Sequence, residues 1–82
     1  MEQKVIIYTQ VTCKPCQEQK AWMKDKGILF EERDVREKEE YFNEAVSLGA
    51  TSTPVTIVAK NGIQQIIKGF DREKLEQVLL LD

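Results

Sequence analysis

The chain has 82 residues, of which 41% are apolar and 32% charged, with 12 Lys and Arg against 14 Asp and Glu. This length predicts one domain over residues 1–82 with a modest core, and the net charge of −2 argues against a nucleic-acid partner. Because no segment resembles a signal peptide or a membrane span, we expect a cytoplasmic protein without a membrane partner, and a monomer by default. The chain has no histidine, which removes histidine acid–base chemistry and histidine metal ligands.

The first apolar run, Lys4 to Tyr8, is rich in β-branched residues and predicts a buried strand. After a short polar loop, Thr12 is a candidate N-cap and Pro15 suits the first turn of a helix. That helix is predicted to continue to Lys26, because Gly27 is a typical residue just past a helix end.

A second strand and a second helix follow. Residues Ile28 to Val35 predict a strand, and four consecutive charged residues within it, 31–34, predict that it lies at a sheet edge. Glu37 to Leu48 predicts a helix whose acidic first turn suits the positive end of the helix dipole. Gly49 ends this helix.

The last third of the chain predicts a hairpin and a helix. Val55 to Ala59 is a second uniformly apolar strand, and Asn61-Gly62 is a type I′ turn signal before the more polar strand Ile63 to Lys68. Asp71 is a candidate cap for the final helix. The apolar residues that share one face of this helix are Leu75, Val78 and Leu79.

The predicted order is βαβαββα. Uniformly apolar strands belong in the middle of a sheet that is covered on both faces, so the first and third strands are central and the spatial order is 2-1-3-4. A right-handed helical crossover makes strands one and two parallel, and the hairpin makes strands three and four antiparallel. We therefore expect an α/β fold with three α/β/α layers.

The two cysteines, Cys13 and Cys16, lie at the junction of the first strand and first helix, with Lys14 and Pro15 between them. The unpaired N–H groups and dipole of a helix N-terminus stabilise a thiolate and lower its pKa, and Lys14 adds a positive charge. This predicts that Cys13 is the attacking thiol. Cys16 follows one helical turn later on the buried side, so it can close a redox-active disulfide with Cys13 after a mixed-disulfide intermediate.

The cysteine pair is also compatible with roles outside redox chemistry. The two could be buried structural thiols, or the thiols of an inactive binding module that uses the fold for docking. A four-ligand zinc or iron–sulfur site needs a second Cys pair or histidines, and the chain has neither. A copper chaperone also carries a Thr-Cys-X-X-Cys loop after its first strand, but its element order is βαββαβ.

Thr53-Pro54 precedes the second apolar strand, where proline is tolerated only at the first position. A cis bond at this position would leave the backbone of Thr53 open for pairing with an extended substrate. An ordinary loop proline is the alternative.

Over all 82 residues the pattern resembles the glutaredoxin family of thioredoxin-fold oxidoreductases. The resemblance rests on Tyr8-Thr9 before Cys13-Lys14-Pro15-Cys16, and on the later motifs Thr53-Pro54 and Gly69-Phe70-Asp71. It implies a dithiol oxidoreductase with Cys13 as nucleophile, Cys16 as resolving thiol and a cis proline at Pro54 facing the disulfide. It also implies that no cofactor is bound and that glutathione is a possible co-substrate.

Departures from the family pattern bear on the electron donor. Glutathione-using members usually have a basic residue where this chain has Gln10, and a second acidic residue where it has Arg72. The Gly69-Phe70 pair is similar to that of NrdH-type redoxins, which take electrons from thioredoxin reductase and reduce ribonucleotide reductase. The resemblance therefore implies contacts to substrate by Lys14, Pro15, Thr53, Pro54, Gly69, Phe70 and Asp71. A glutathione-dependent glutaredoxin is the second hypothesis.

Overall fold

A computed structural model describes residues 3–79. The elements are β1 (Gln3–Thr9), α1 (Lys14–Asp25), β2 (Glu31–Asp34), α2 (Glu39–Ser47), β3 (Val55–Lys60), β4 (Ile63–Lys68) and α3 (Arg72–Leu79). The strands form one sheet in the order β2-β1-β3-β4. β1 and β2 are parallel, whereas β3 is antiparallel to both β1 and β4. The predicted element order, sheet order and fold class are thus confirmed.

The second strand is shorter than predicted, because its apolar ends take other positions. Ile28 and Val35 are buried but lie outside β2. The N–H of Ile28 donates to the carbonyl of Met23 over 2.9 Å, and the N–H of Gly27 donates to that of Lys24. These two bonds, with a φ of 72° at Gly27, form a Schellman motif that closes α1. Residue 28 therefore ends a helix instead of beginning a strand.

Both faces of the sheet are buried. Helices α1 and α3 cover one face, whose core residues are Val5, Ile7, Met23, Ile28, Val58, Ile67, Leu75, Val78 and Leu79. The face that carries α2 has a smaller cluster of Tyr8, Val35, Ala45, Val55 and Ile57. This two-sided burial explains why β1 and β3 are apolar throughout.

The strand register brings three loops to one end of the sheet. Tyr8, at the end of β1, pairs with Val55 at the start of β3, and Val55 in turn pairs with Lys68 at the end of β4. The segments 10–13, 51–54 and 69–71 therefore meet at this end. Within residues 3–79, no helix combines the length and the apolar content needed to cross a bilayer.

Candidate active site

The first residue of the site is the cap of a helix. Cys13 is the N-cap of α1, with φ −88° and ψ 107°, and its Sγ accepts the backbone N–H of Cys16 over 3.1 Å. The prediction that Thr12 is the cap is wrong, because a turn closed by the Cys13 N–H and the Gln10 carbonyl (3.1 Å) contains Thr12. The sulfur therefore lies where the unpaired N–H groups of a helix stabilise negative charge.

Cys13 and Cys16 form a disulfide, with their Cα atoms 5.2 Å apart. Their surroundings differ, since Cys16 is 0% exposed and Cys13 is partly exposed. Lys14 and Pro15 are exposed between them, and Pro15 occupies the first turn of α1, as predicted. A molecule that approaches from solvent meets the sulfur of Cys13 first.

The loop before β3 faces the disulfide. The Thr53–Pro54 peptide bond is cis, as predicted. The Sγ of Cys13 lies 3.5 Å from the carbonyl oxygen of Thr53. A disulfide sulfur has no proton, so this is a contact in the oxidised protein, and a neutral Cys13 thiol could donate to the same oxygen. Pro54 is buried, whereas Thr53 is partly exposed.

The third segment, 69–71, lies beside the loop that carries Pro54 and is bonded to it. Gly69 donates its N–H to the carbonyl of Pro54 over 2.8 Å, with a φ of 80° that favours glycine. The ring of Phe70 packs on that of Trp22, with centroids 6.1 Å apart. The carboxylate of Asp71 accepts the N–H of Lys74 over 3.0 Å, which confirms Asp71 as a cap of α3.

A groove that the sequence pattern did not reveal runs between the cysteine loop and α2. One part of it, with a volume of about 180 Å³, is lined by Gln10, Val35, Phe42, Ala45, Val46, Ala50, Thr51, Ser52 and Thr53. Further depressions lined partly by Val11, Thr12 and Arg36 continue from it along the same side. Phe42 and Val46 are 52% and 53% exposed, and their i, i+4 spacing on α2 is the sequence signal for this second apolar stripe.

The comparisons with known proteins agree with this geometry. The sequence profile of the glutaredoxin family matches residues 5–63, which is more than half of the chain. The chain belongs to the glutaredoxin family. No curated protein sequence matches it significantly.

Solved structures of similar proteins cover nearly the whole chain. The thioredoxin-like protein BC3987 is 33% identical, with a TM-score of 0.78 over 92% of this chain and 99% of that one. The glutaredoxin-like NrdH-redoxin from Escherichia coli is 25% identical, with a TM-score of 0.78 over 92% and 93%. A glutaredoxin from Archaeoglobus fulgidus is 26% identical, with a TM-score of 0.72 over 93% and 85%. With its Cys-X-X-Cys disulfide, this glutaredoxin-family protein is a thiol–disulfide oxidoreductase.

Two fully buried polar side chains of the glutaredoxin-family protein lie between α1 and the sheet. Gln19 and Thr56 are each 0% exposed, and the amide nitrogen of Gln19 donates to the hydroxyl of Thr56 over 2.7 Å. The amide oxygen of Gln19 has no hydrogen-bond partner among the described residues. The sequence does not single out Gln19, because a glutamine on a helix is ordinarily exposed.

A polar network ties the end of β1 to its neighbours. The carboxylate of Glu32 accepts the hydroxyl of Thr9 over 2.8 Å and the ammonium of Lys20 over 2.7 Å. Partial burial opposes the charge of Glu32, but the hydrogen bonds from Lys20 and Thr9 outweigh it and hold the pKa of Glu32 below its usual value. The network fixes β2 and α1 against the strand that leads into the cysteine loop.

Tyr8 contributes to packing rather than to the site. It is buried in the α2-side core, and its hydroxyl donates to the carboxylate of Glu44 over 2.9 Å. Burial and that hydrogen bond raise the pKa of Tyr8. Arg33 pairs with Glu44 over 2.8 Å, and this charged contact links β2 to α2. Within residues 3–79, no three His, Cys, Asp or Glu side chains converge as metal ligands.

Proposed function

We propose that this protein reduces disulfides in client proteins, with Cys13 as the attacking thiol and Cys16 as the resolving thiol. The observation that carries the proposal is the capping bond between the Cys16 N–H and the Cys13 sulfur. A thiolate at this position gains a charge-assisted hydrogen bond and the favourable end of the α1 dipole. The partly exposed sulfur is therefore also the one that is easier to ionise.

The reaction requires two exchanges. The Cys13 thiolate attacks one sulfur of the client disulfide, forming a mixed disulfide and releasing the other client sulfur as a thiolate, which takes a proton from water. Cys16 then loses its proton and attacks the Cys13 sulfur, which breaks the mixed disulfide and releases the second client thiolate. The client gains two electrons and two protons in total, and Cys13 and Cys16 end as the disulfide.

The client is proposed to lie across the three loops at this end of the sheet. The backbone of Thr53 is adjacent to the reacting sulfur, so an extended client segment can pair with it while its cysteine faces Cys13. Lys14 and Pro15 are exposed next to this path. Gly69 and Phe70, which are partly exposed, form its floor and Asp71 its polar end, while the buried Pro54 positions Thr53. An apolar client side chain can enter the groove beside Phe42.

Thioredoxin reductase is the proposed electron donor, in preference to glutathione. Glutathione carries two carboxylates and an ammonium, and a charge-assisted hydrogen bond contributes about 1.5–3 kcal/mol. Gln10 is neutral, and Arg72 places a cation, 6.0 Å from the Trp22 ring, where glutathione-using relatives have an acid. The similarity to the NrdH-redoxin from Escherichia coli, a glutaredoxin-like protein with a thioredoxin-like activity profile, supports this choice. Ribonucleotide reductase is the client that the same resemblance implies.

The donor is tested by turnover of an insulin disulfide with NADPH. One reaction contains thioredoxin reductase, and the other contains glutathione with glutathione reductase, at matched protein concentration. We expect faster turnover through thioredoxin reductase. Faster turnover through glutathione would make the protein a glutathione-dependent glutaredoxin with Thr53 and Asp71 as its contacts, and no turnover in either would refute disulfide reduction.

Charge variants test the reason for the preference. The double substitution Gln10→Lys with Arg72→Asp restores the family charges and should speed the glutathione reaction by about tenfold, since one such contact is worth about 1.4 kcal/mol or more. Gln64→Glu is the matched control, because it makes the net charge more negative to the same extent as the double variant does, on an exposed part of β4 at the other end of the sheet. Equal rates for control and double variant would contradict the charge argument.

A further inference from the structure

The buried pair of Gln19 and Thr56 lies on the side of α1 that also buries Cys16. Gln19 follows Cys16 by three residues on α1, and side chains at this spacing are neighbours on one helix face. Thr56 is the second residue of β3 and follows Pro54 by two residues, so it lies close along the chain to the loop that contacts Cys13. Because Pro54 adjoins Thr53, whose carbonyl oxygen contacts the Cys13 sulfur, both the helix and the strand place the pair near the cysteines.

The surroundings of the pair are apolar. The register partners of Thr56 are Ile7 on β1 and Ile67 on β4, and both are fully buried in the α1-side core. In such a layer an unpaired amide oxygen keeps its full desolvation cost. In the oxidised protein, the amide oxygen of Gln19 has no hydrogen-bond partner within residues 3–79 and is in this condition.

Reduction of the disulfide gives the sulfur of Cys16 a proton that it can donate. A disulfide sulfur has no proton to donate, whereas a Cys thiol is a weak hydrogen-bond donor. We propose that, once the disulfide is reduced, the amide oxygen of Gln19 accepts a hydrogen bond from the Cys16 thiol and so positions it. This inference rests on the proposed role of Cys16 as resolving thiol.

The hydrogen bond would have two effects on the exchange. It keeps Cys16 protonated beneath Cys13 while Cys13 attacks the client, so the two sulfurs do not compete for the client disulfide. It also favours the dithiol over the disulfide, because only the dithiol satisfies the Gln19 oxygen. The amide nitrogen of Gln19 donates to the hydroxyl of Thr56, so the direction of the amide oxygen is fixed before the disulfide is reduced.

Two measurements on the purified protein test this proposal without any client or electron donor. The first is equilibrium with dithiothreitol, in which two protein thiols and the cyclic dithiothreitol disulfide exchange with the protein disulfide and reduced dithiothreitol. The second is thiolate absorbance against pH in a Cys13→Ser background, where Cys16 is the only cysteine.

The variant Gln19→Met removes the amide and keeps a similar volume, and Gln19→Leu is made in parallel in case the first does not fold. We expect the equilibrium to shift about fivefold toward the disulfide, and Cys16 to ionise at lower pH with an acid dissociation constant about fivefold larger, as for a net hydrogen bond of about 1 kcal/mol. Unchanged values in both measurements, or shifts in the opposite direction, would overturn the proposal.

Thr56→Val is the matched control, because it removes the bond between helix and sheet but leaves the amide of Gln19 in place. We expect it to lower the free energy of unfolding while shifting the two thiol measurements by less than half as much as Gln19→Met. If Thr56→Val reproduces both shifts in full, Gln19 is only a structural tie and the proposal fails. If the wild-type protein fails to reduce insulin, the proposed function is refuted. The dithiothreitol equilibrium and the thiolate titration would still test the role of Gln19.

Discussion

At the residue scale, the two sulfurs differ in access and in hydrogen bonding. Cys13 is partly exposed and its sulfur accepts the Cys16 N–H, whereas Cys16 is fully buried. We expect iodoacetamide at mildly acidic pH to label Cys13 of the reduced protein first, by a factor of about ten or more. Peptide mapping by mass spectrometry gives the order of labelling. Faster labelling of Cys16 would reverse the two assigned roles.

Phe42 provides a second test at this scale. Its side chain is 52% exposed beside the groove, and burying half of a Phe side chain against a client contributes about 1 kcal/mol. Phe42→Ser should therefore raise the KM for a protein disulfide about fivefold and leave exchange with dithiothreitol unchanged.

Leu29→Ser is the control for Phe42→Ser. Leu29 is 90% exposed and borders the start of β2, at the sheet end opposite the cysteine loop. An equal rise in KM for both variants would indicate a general surface effect and remove the groove from the client path.

At the element scale, the short edge strand β2 is held by charges instead of apolar burial. Glu32 bonds to Thr9 on β1 and to Lys20 on α1. Glu32→Gln should lower the free energy of unfolding by up to about 1 kcal/mol at neutral pH, the range of a partly exposed ion pair.

The pH dependence of that loss follows from the lowered pKa of Glu32. The ionised carboxylate stabilises the fold fully above its ordinary pKa of 4.5, and this contribution disappears as the pH falls through the lower pKa of the folded state. Urea unfolding at pH 7 and at about pH 3 should thus show a smaller difference between wild type and variant at pH 3 than at pH 7. Glu37→Gln, an exposed acid outside this network, should show no such difference at either pH.

At the scale of the whole molecule, the two faces of the sheet are covered unequally. On β4, Ile67 points toward α1 and α3 and is 0% exposed, whereas its neighbour Ile66 points toward the side of α2 and is 38% exposed. Ile67→Ala should cost about 2–5 kcal/mol, a large part of the stability of a fold of this size, and Ile66→Ala less than about 1 kcal/mol. Denaturant unfolding measures both, and equal losses would contradict this account of the core.

The fold was predictable because its signals are local and repeated. Two uniformly apolar strands, an Asn-Gly turn and glycines after two helices define the order and the sheet. The ends of elements were less predictable, since the pattern cannot show that Ile28 bonds back to Met23. Cys13, Cys16 and Pro54 stand in short motifs with known chemistry. The groove at Phe42 and the buried Gln19 depend on which helix face meets which strand, and tertiary packing decides that.

Because the sulfur of Cys13 caps α1, a backbone N–H in the first turn of this helix reports on the chemical state of that sulfur. The backbone N–H of Cys16 donates to that sulfur, so its amide proton senses whether the partner is a disulfide, a neutral thiol or an anion. The ¹H and ¹⁵N resonances of Cys16 should then shift with the ionisation of Cys13, although the side chain of Cys16 stays protonated. One backbone signal, followed by NMR through a titration, would read the charge on the neighbouring residue without any label on the thiols.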